Sequence, residues 1–403
     1  MALKHPFRWA NPAVLGWART RLNLQPTQVE RLSEKMGRGF TKISAERLLS
    51  WEQGQDEPTL ADLETLAYIY ECPLGYFFLP NPPEERLPLD FRGLDSSKLL
   101  GLSPETHIAL RRFVSIADWV GDVIRRLEIP WEVRINEVRL TDFVDDVAQK
   151  ERTRLGFDAK LRYQWGDAHT AFQWWRLAVE SLGVFVFTMR LPPKEVRGAS
   201  IWSPPNPPAI LVNSEDVEAA TGRLFTLLHE YAHLLIRRQG VVCDTKGLGE
   251  SEPVEKFANR LAARILLQQD EFKAHLQQLN LFSFRSRWGD ALLDEIRKPF
   301  FVSKDVVAIY LEEMGLAPEG FYQQKRQQWE KRGPGRRGYA GKPPPKRNER
   351  KLRELGFSFA RILSSEFADE IPILELAEVL DMKVEHVQEF KEWLKEQAPV
   401  RRI

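Results

Sequence analysis

The chain has 403 residues, 43% of them hydrophobic and 29% charged, with 58 Lys and Arg against 57 Asp and Glu for a formal net charge of +1. This length suits two to four domains and at least one sizeable core, and the composition excludes a disordered chain, a disulfide scaffold and a membrane-spanning helix. With the net charge so small, a nucleic-acid or membrane partner would have to be met by a local patch.

From Asn11 to about Pro80 the pattern is a succession of short helices. Val14, Leu15, Ala18 and Leu22 share one face; Pro26 opens a second helix carrying Val29, Leu32 and Met36; a third runs from Ile43 to Trp51 and ends at Gly54; and Pro58-Thr59 starts a fourth with Leu60, Leu63, Leu66 and Ala67 on one side. This reads as a compact bundle of helix-turn-helix type over residues 1–80, closed by the proline-rich stretch 79–83, which cannot continue a helix. A connector with helical periods over 81–144 follows, including Ala109, Phe113, Ile116 and Val120. Phe172, Trp174, Trp175 and Val179 mark a further helix. The period then shortens to that of strands at 183–187, 197–202 and 209–212, and helices return over 217–238, 253–268, 270–279 and 303–315.

Residues 318–353 carry twelve Lys and Arg against Glu319, Glu330 and Glu349, with Gly333-Pro334-Gly335 and Pro343-Pro344-Pro345 inside, and read as an exposed basic linker, nucleic-acid contact being the alternative. Residues 354–403 form a last helical unit with a turn near Asp381. Cys72 and Cys243 read as reduced thiols filling core positions. Lys4, Arg8 and Arg19 fall in a start without a secretory pattern, which makes the cytoplasm the expected compartment.

The chemistry concentrates in His229-Glu230-Tyr231-Ala232-His233, an H-E-x-x-H stretch within a helix-forming apolar run. Residues four apart leave the same helix face, so both imidazoles can meet one zinc ion at about 2.0–2.1 Å, while Glu230, about 100° round the helix, sits beside the metal as a general base must. With only seven histidines in the chain, a chance match has a probability on the order of 0.01. A catalytic zinc needs a third protein ligand and an open position. Ile236 and Gln239 stand where a glycine and a histidine would complete one known variant, so the ligand is sought among Glu250, Glu252 and Glu255. Glu255 shares a small and apolar helix face with Ala258, Asn259, Ala262 and Ile265, whereas Glu250 and Glu252 lie where the helix dipole alone explains an acid. The expected chemistry is peptide hydrolysis, with manganese as an alternative ion. The substrate is expected as an added strand along 197–202 or 209–213, and Tyr163, His169, Tyr231 and Arg223 are equal candidates to stabilise the oxyanion.

These residues resemble the ImmA/IrrE-type zinc metallopeptidases with a fused Xre-type helix-turn-helix domain. The resemblance lies in 208–213, in 223–233 and in Glu255-Lys256-Phe257-Ala258-Asn259-Arg260-Leu261-Ala262, and at the amino terminus in Trp51-Glu52-Gln53-Gly54, Pro58-Thr59-Leu60, 73–78 and Leu89-Asp90-Phe91-Arg92. It implies a helix-turn-helix bundle (1–80) ahead of a zincin-like metallopeptidase domain with a small sheet (145–317); with the carboxy-terminal helical unit (354–403) read from the residue pattern, the expected fold is α+β and mainly helical. The resemblance also implies that Glu255 is the third metal ligand and that the substrate is a helix-turn-helix repressor whose cleavage relieves repression in a stress or mobile-element response. DNA is a second candidate partner. Residues 11–80, however, hold seven Lys and Arg against nine acids, a poor balance for binding phosphate. A DNA-binding regulator with a structural or sensory metal site is the competing reading.

Overall fold

The structure is a computed structural model. It describes residues 10–22, 24–36, 40–70, 72–83, 102–192, 195–215, 219–236, 241–244, 253–332 and 346–396. The chain divides into two compact units, residues 1–90 with 101–111, and 91–100 with 112–403. The fold is α+β and mainly helical, as the sequence predicts, and no helix of the described residues is long and apolar enough to cross a membrane.

In the first unit, helices α1 (Pro12–Arg21), α2 (Pro26–Lys35), α3 (Ala45–Glu52) and α4 (Leu60–Tyr70) are followed by a 3-10 helix at Leu74–Phe78. Each start has a local cause. Asn11 caps α1 by accepting from Ala13 N at 3.0 Å, and Ser44 caps α3 by accepting from Arg47 N. Pro12 and Pro26 occupy first-turn positions, where a missing N–H costs nothing. The apolar stripes converge on a core of Val14, Leu15, Ala18, Leu48, Trp51, Leu63, Leu66, Tyr70 and Phe77, in which Cys72 is also buried. Asn11 Nδ2 donates to the carbonyls of Leu79 and Pro80, which ties the start of α1 to the segment after the 3-10 helix.

The second unit is built on a four-stranded sheet of β1 (Phe185–Met189), β2 (Val196–Ile201), β3 (Ala209–Asn213) and β4 (Val241–Asp244), in the order β1-β3-β2-β4. β1 runs parallel to β3, and β2 is antiparallel to both β3 and β4. The sheet is covered on both faces, which is why β1 and β3 read as continuous apolar runs without alternation. Val184, Val186, Ile210 and Val212 face one large core shared with the helices that carry the site. From the other side of β1, Phe185 stacks on Trp131 at 4.6 Å, and Phe187 meets Phe113 and Phe359 edge to face.

Helix α5 (Pro104–Arg126) supplies Phe113 and leads through an extended stretch to α6 (Val144–Arg154) and α7 (Ala168–Glu180). After β3 come α8 (Ala219–Leu235), β4, α9 (Pro253–Leu266), α10 (Gln269–Gln278), α11 (Asp290–Arg297), α12 (Lys304–Glu313), α13 (Phe321–Arg332), α14 (Arg347–Leu355), α15 (Phe357–Ser364), α16 (Ile373–Leu380) and α17 (Val384–Glu396). Strand β4 and helix α11 are not among the elements read from the sequence, both being short, at four and eight residues.

Two expectations need correction. The segment 318–353, expected as an exposed linker, is mostly helical in its described parts, as α13 and α14. Arg326 is buried and pairs with the buried Asp305 at 3.0 Å, Lys325 pairs with Asp290 at 2.8 Å, and Phe321 joins the core. Part of the basic charge is thus consumed inside the fold; residues 333–345 lie outside the described residues. The second correction concerns substrate strand addition along 197–202 or 209–213. β2 is hydrogen-bonded on both sides by β3 and β4, and β3 by β1 and β2, so neither has an open edge.

The outer side of β1 is closed by the α14–α15 junction. The Arg353 carbonyl accepts from Thr188 Oγ1 at 2.7 Å and from Arg176 Nη1 at 2.5 Å. Arg176 also donates to the Val186 carbonyl, and Phe357 N donates to the carboxylate of Glu180 at 3.1 Å. Burial pushes the Glu180 carboxyl up to about 7, against the opposing pull of Arg176 and these N–H donors. Gly356 makes the approach possible: its φ is +89°, and a Cβ there would fall on Glu180 Oε1 and lie 2.6 Å from both Arg176 Nη2 and the Val186 carbonyl. Gly356→Ala is therefore expected to destabilise the protein by about 2–4 kcal/mol, measured as a lowered denaturant midpoint at unchanged metal content.

Candidate metal centre

Helix α8 is apolar nearly all round. Leu224, Phe225, Leu227, Leu228, Tyr231, Ala232, Leu234 and Leu235 are all buried, and a helix with this composition is stable only when surrounded. It lies between β2 and β3 on one side and α7 and α9 on the other. His229, Glu230 and His233 are buried with it, none more than 1% exposed. Ionisable groups at such depth need compensating chemistry.

Helix α9 packs on α8, buries the small side chains of Ala258, Ala262 and Ala263 in the core the two share, and carries Glu255 in its first turn. The far end of α9 is clamped by side chains from three other elements. Arg152 donates to the Ile265 carbonyl at 3.1 Å, Arg162 to that of Leu266 at 2.6 Å, and Tyr310 to that of Leu267. Glu271 joins the two arginines at 3.2 and 3.1 Å. Burial lowers the Arg152 guanidinium to about 10 even beside Glu271. Nothing in the spacing of Arg152, Arg162 and Tyr310 marks them in the sequence, since they meet α9 only through tertiary packing.

The structure brings together the residues that the sequence singles out. His233 Nε2 lies 3.0 Å from His229 Nε2, His229 Nε2 lies 3.4 Å from Glu255 Oε2, and His233 Nε2 lies 3.6 Å from Glu255 Oε1. Two ligands at about 2.05 Å from one ion and at the tetrahedral angle are about 3.3 Å apart, so the three separations fit a single tetrahedral ion. The three donor groups form one buried cluster able to hold a metal. Burial alone would raise the Glu255 carboxyl, but hydrogen bonding to His229 and His233 and their proximity outweigh it and hold Glu255 well below the usual carboxylate range. Glu250 and Glu252, the other candidates for the third ligand, lie outside the described residues.

The Glu230 side chain lies against β2. A Cβ built on Gly198 would stand 2.8 Å from Glu230 Oε1, 3.0 Å from Glu230 Cγ and 2.7 Å from Thr226 Cγ2. Strand β2 reaches helix α8 so closely only because residue 198 has no side chain. The ladder between β2 and β4 is irregular at this point, between Val196 and Gly198. In the sequence, Gly198 reads only as one residue of a strand.

Of the candidates to stabilise an oxyanion, Tyr231 is committed elsewhere. Its hydroxyl donates to Glu151 Oε2 at 2.6 Å, and Arg154 pairs with the other oxygen of Glu151 at 3.2 Å. Burial and the neighbouring Glu151 push the Tyr231 hydroxyl well above its ordinary value. This contact fixes the rotation of α8 from the side of α6. Arg223 donates to the Ser214 carbonyl at 3.1 Å and lies over the Phe172 ring.

Residues 179–312 match the family model described as the IrrE N-terminal-like domain, Peptidase_M78. The match covers the sheet and the helices that carry His229, Glu230, His233 and Glu255, and it supports a metallopeptidase of the ImmA/IrrE type. No curated protein and no solved structure matches the chain.

Gly198→Ala tests the fit between β2 and Glu230. Metal content is expected to stay stoichiometric, because the ligands lie on other elements, while peptide cleavage falls by about 10- to 100-fold through displacement of the base. An unchanged cleavage rate would show that the close approach of β2 is immaterial.

Proposed function

We propose that the protein is a zinc-dependent endopeptidase that selectively cleaves a helix-turn-helix transcriptional repressor in the cytoplasm, relieving repression in a stress or mobile-element response. The observation that carries the enzymatic part is the buried triad His229, His233 and Glu255, with Glu230 beside it and not in it. A purely structural site closes with four protein ligands, whereas three ligands plus a neighbouring carboxylate leave room for water and for a base. The choice of zinc over manganese is favoured by the two imidazoles and the tetrahedral spacing of the donors.

A divalent ion held by these three residues supplies Lewis acidity, polarising the scissile carbonyl and acidifying water. The chain's own residues do the rest. Glu230 takes the proton from the attacking water and returns it to the leaving amine, and the apolar wall of α8 keeps bulk water from competing for the carboxylate. The Tyr231–Glu151 contact and the closeness of Gly198 to Glu230 hold the base in register with the ligands. Selective action on a repressor rests on the family resemblance, which couples the peptidase to an amino-terminal unit of short helices. In that unit the recognition helix of the expected helix-turn-helix would be α3. Its Arg47 is paired with Asp62 at 3.2 Å and lies over Trp51, which leaves it poorly placed for phosphate and favours a protein over DNA as partner.

Incubation of the purified protein with repressors encoded beside its gene provides the test. Glu230→Gln is expected to retain one metal per chain and lose cleavage by about 10²- to 10⁴-fold, whereas Glu255→Gln loses the metal. Equal cleavage by wild type and Glu230→Gln, or no stoichiometric metal in the wild type, would overturn the enzymatic reading.

A further inference from the structure

The carboxy-terminal helices present a surface that the chemistry above does not use. Between residues 354 and 396 the sequence has eleven acidic residues and four basic ones. Helices α16 and α17 pack on one another through Leu376, Leu380, Val387, Phe390 and Leu394, joined by a tight turn at Asp381, whose φ is +51°. Helix, short turn with a left-handed residue, helix is the outline of many DNA-binding hairpins, but this pair has the wrong charge for DNA.

Glu389 pairs with Arg347 of α14, and Asp369, in the turn before α16, with Lys391; other acids fall into two sets. The inner set is spent on α5: Glu375 accepts from Trp119 Nε1 at 2.6 Å and pairs with Arg126 at 2.8 Å, and Asp381 pairs with Arg112 at 3.0 Å. The outer set, Glu366, Glu370, Glu378, Glu385, Glu392 and Glu396, is exposed. Among the described residues, no Lys or Arg pairs with any of these six. The same two helices carry apolar side chains that the fold leaves exposed: Leu374 is 71% exposed, with Ile373 next to it in sequence and Val384 opening the second helix. Leu374 and Glu378 are four residues apart on α16 and therefore share one side of it.

We propose that the α16–α17 hairpin is a docking surface for a cationic, apolar-patched protein helix, the kind of surface by which a DNA-binding repressor meets phosphate. Leu374, Ile373 and Val384 form the apolar anchor, and the outer glutamates steer and register the partner. DNA is repelled by the same charges. The identity of the partner as the substrate rests on the repressor reading above; the docking surface itself does not.

The test uses the full-length protein in the Glu230→Gln background, with Leu374→Glu and the triple reversal Glu378→Lys, Glu385→Lys and Glu392→Lys. All four positions are exposed, and an unchanged melting temperature and metal content certify the fold. A fluorescent amphipathic helix of leucines and lysines is the probe. The parent is expected to bind it with an affinity that falls with salt, and each variant to bind about tenfold or more weakly. Equal binding by parent and variants, or binding of duplex DNA that the variants lose, overturns the proposal. In the cleavage-competent protein, the variants are expected to raise KM for a cleaved repressor with kcat maintained. Unaltered KM overturns the proposal for that substrate. Peptide binding through this surface with no repressor cleaved would sink the repressor reading alone.

Discussion

The arrangement depends on three electron-pair donors held at van der Waals depth from one another inside an apolar wall. Two imidazoles and a carboxylate packed 3.0–3.6 Å apart with so little water would be a liability for the fold unless a cation joined them. The surroundings are organised to keep them there. Helix α8 is fixed in rotation by Tyr231 on Glu151, pressed by β2 at Gly198, and met by α9, whose far end is held by Arg152, Arg162 and Tyr310. Each restraint comes from a different element, so the ligand geometry is a property of the packed unit and not of the motif.

A clear division of labour follows on α8 itself. His229 and His233 face α9 and its carboxylate, Glu230 faces the sheet, and Tyr231 faces α6. Residues of one short motif thus meet three different neighbours, because a helix turns each successive side chain about 100°, and the proposed ligation, proton transfer and registration follow that division.

Much of this was legible from local pattern. The four-residue spacing of His229 and His233 needs only helical geometry, and Glu255 follows from the small-residue face it shares with Ala258 and Ala262. The helices of the first unit announce themselves through Asn11, Pro26 and Ser44 at their starts. What could not be read is non-local. The order β1-β3-β2-β4 places β2 and β3 in the sheet interior, contrary to their expected role as edges, because strand order is set by crossovers that leave no period in the sequence. Gly198 and Gly356 likewise look ordinary until the chain that approaches them is known. Arg326 sits in a charge run of the kind that is usually solvated, and its partner Asp305 lies 21 residues away on another helix.

The lock at Gly356 bears on how this fold is parsed into modules. The stretch that matches a peptidase family stops at residue 312, yet the strand that begins its sheet has its outer rim closed by main chain from 353 to 358. A unit defined by sequence similarity is here smaller than the unit defined by satisfied backbone and buried charge. Evolutionary exchange of the shorter segment between chains would carry Glu180 and β1 away from both Arg176 and the 353–358 main chain, so inheritance of the sheet is tied to inheritance of its flanks.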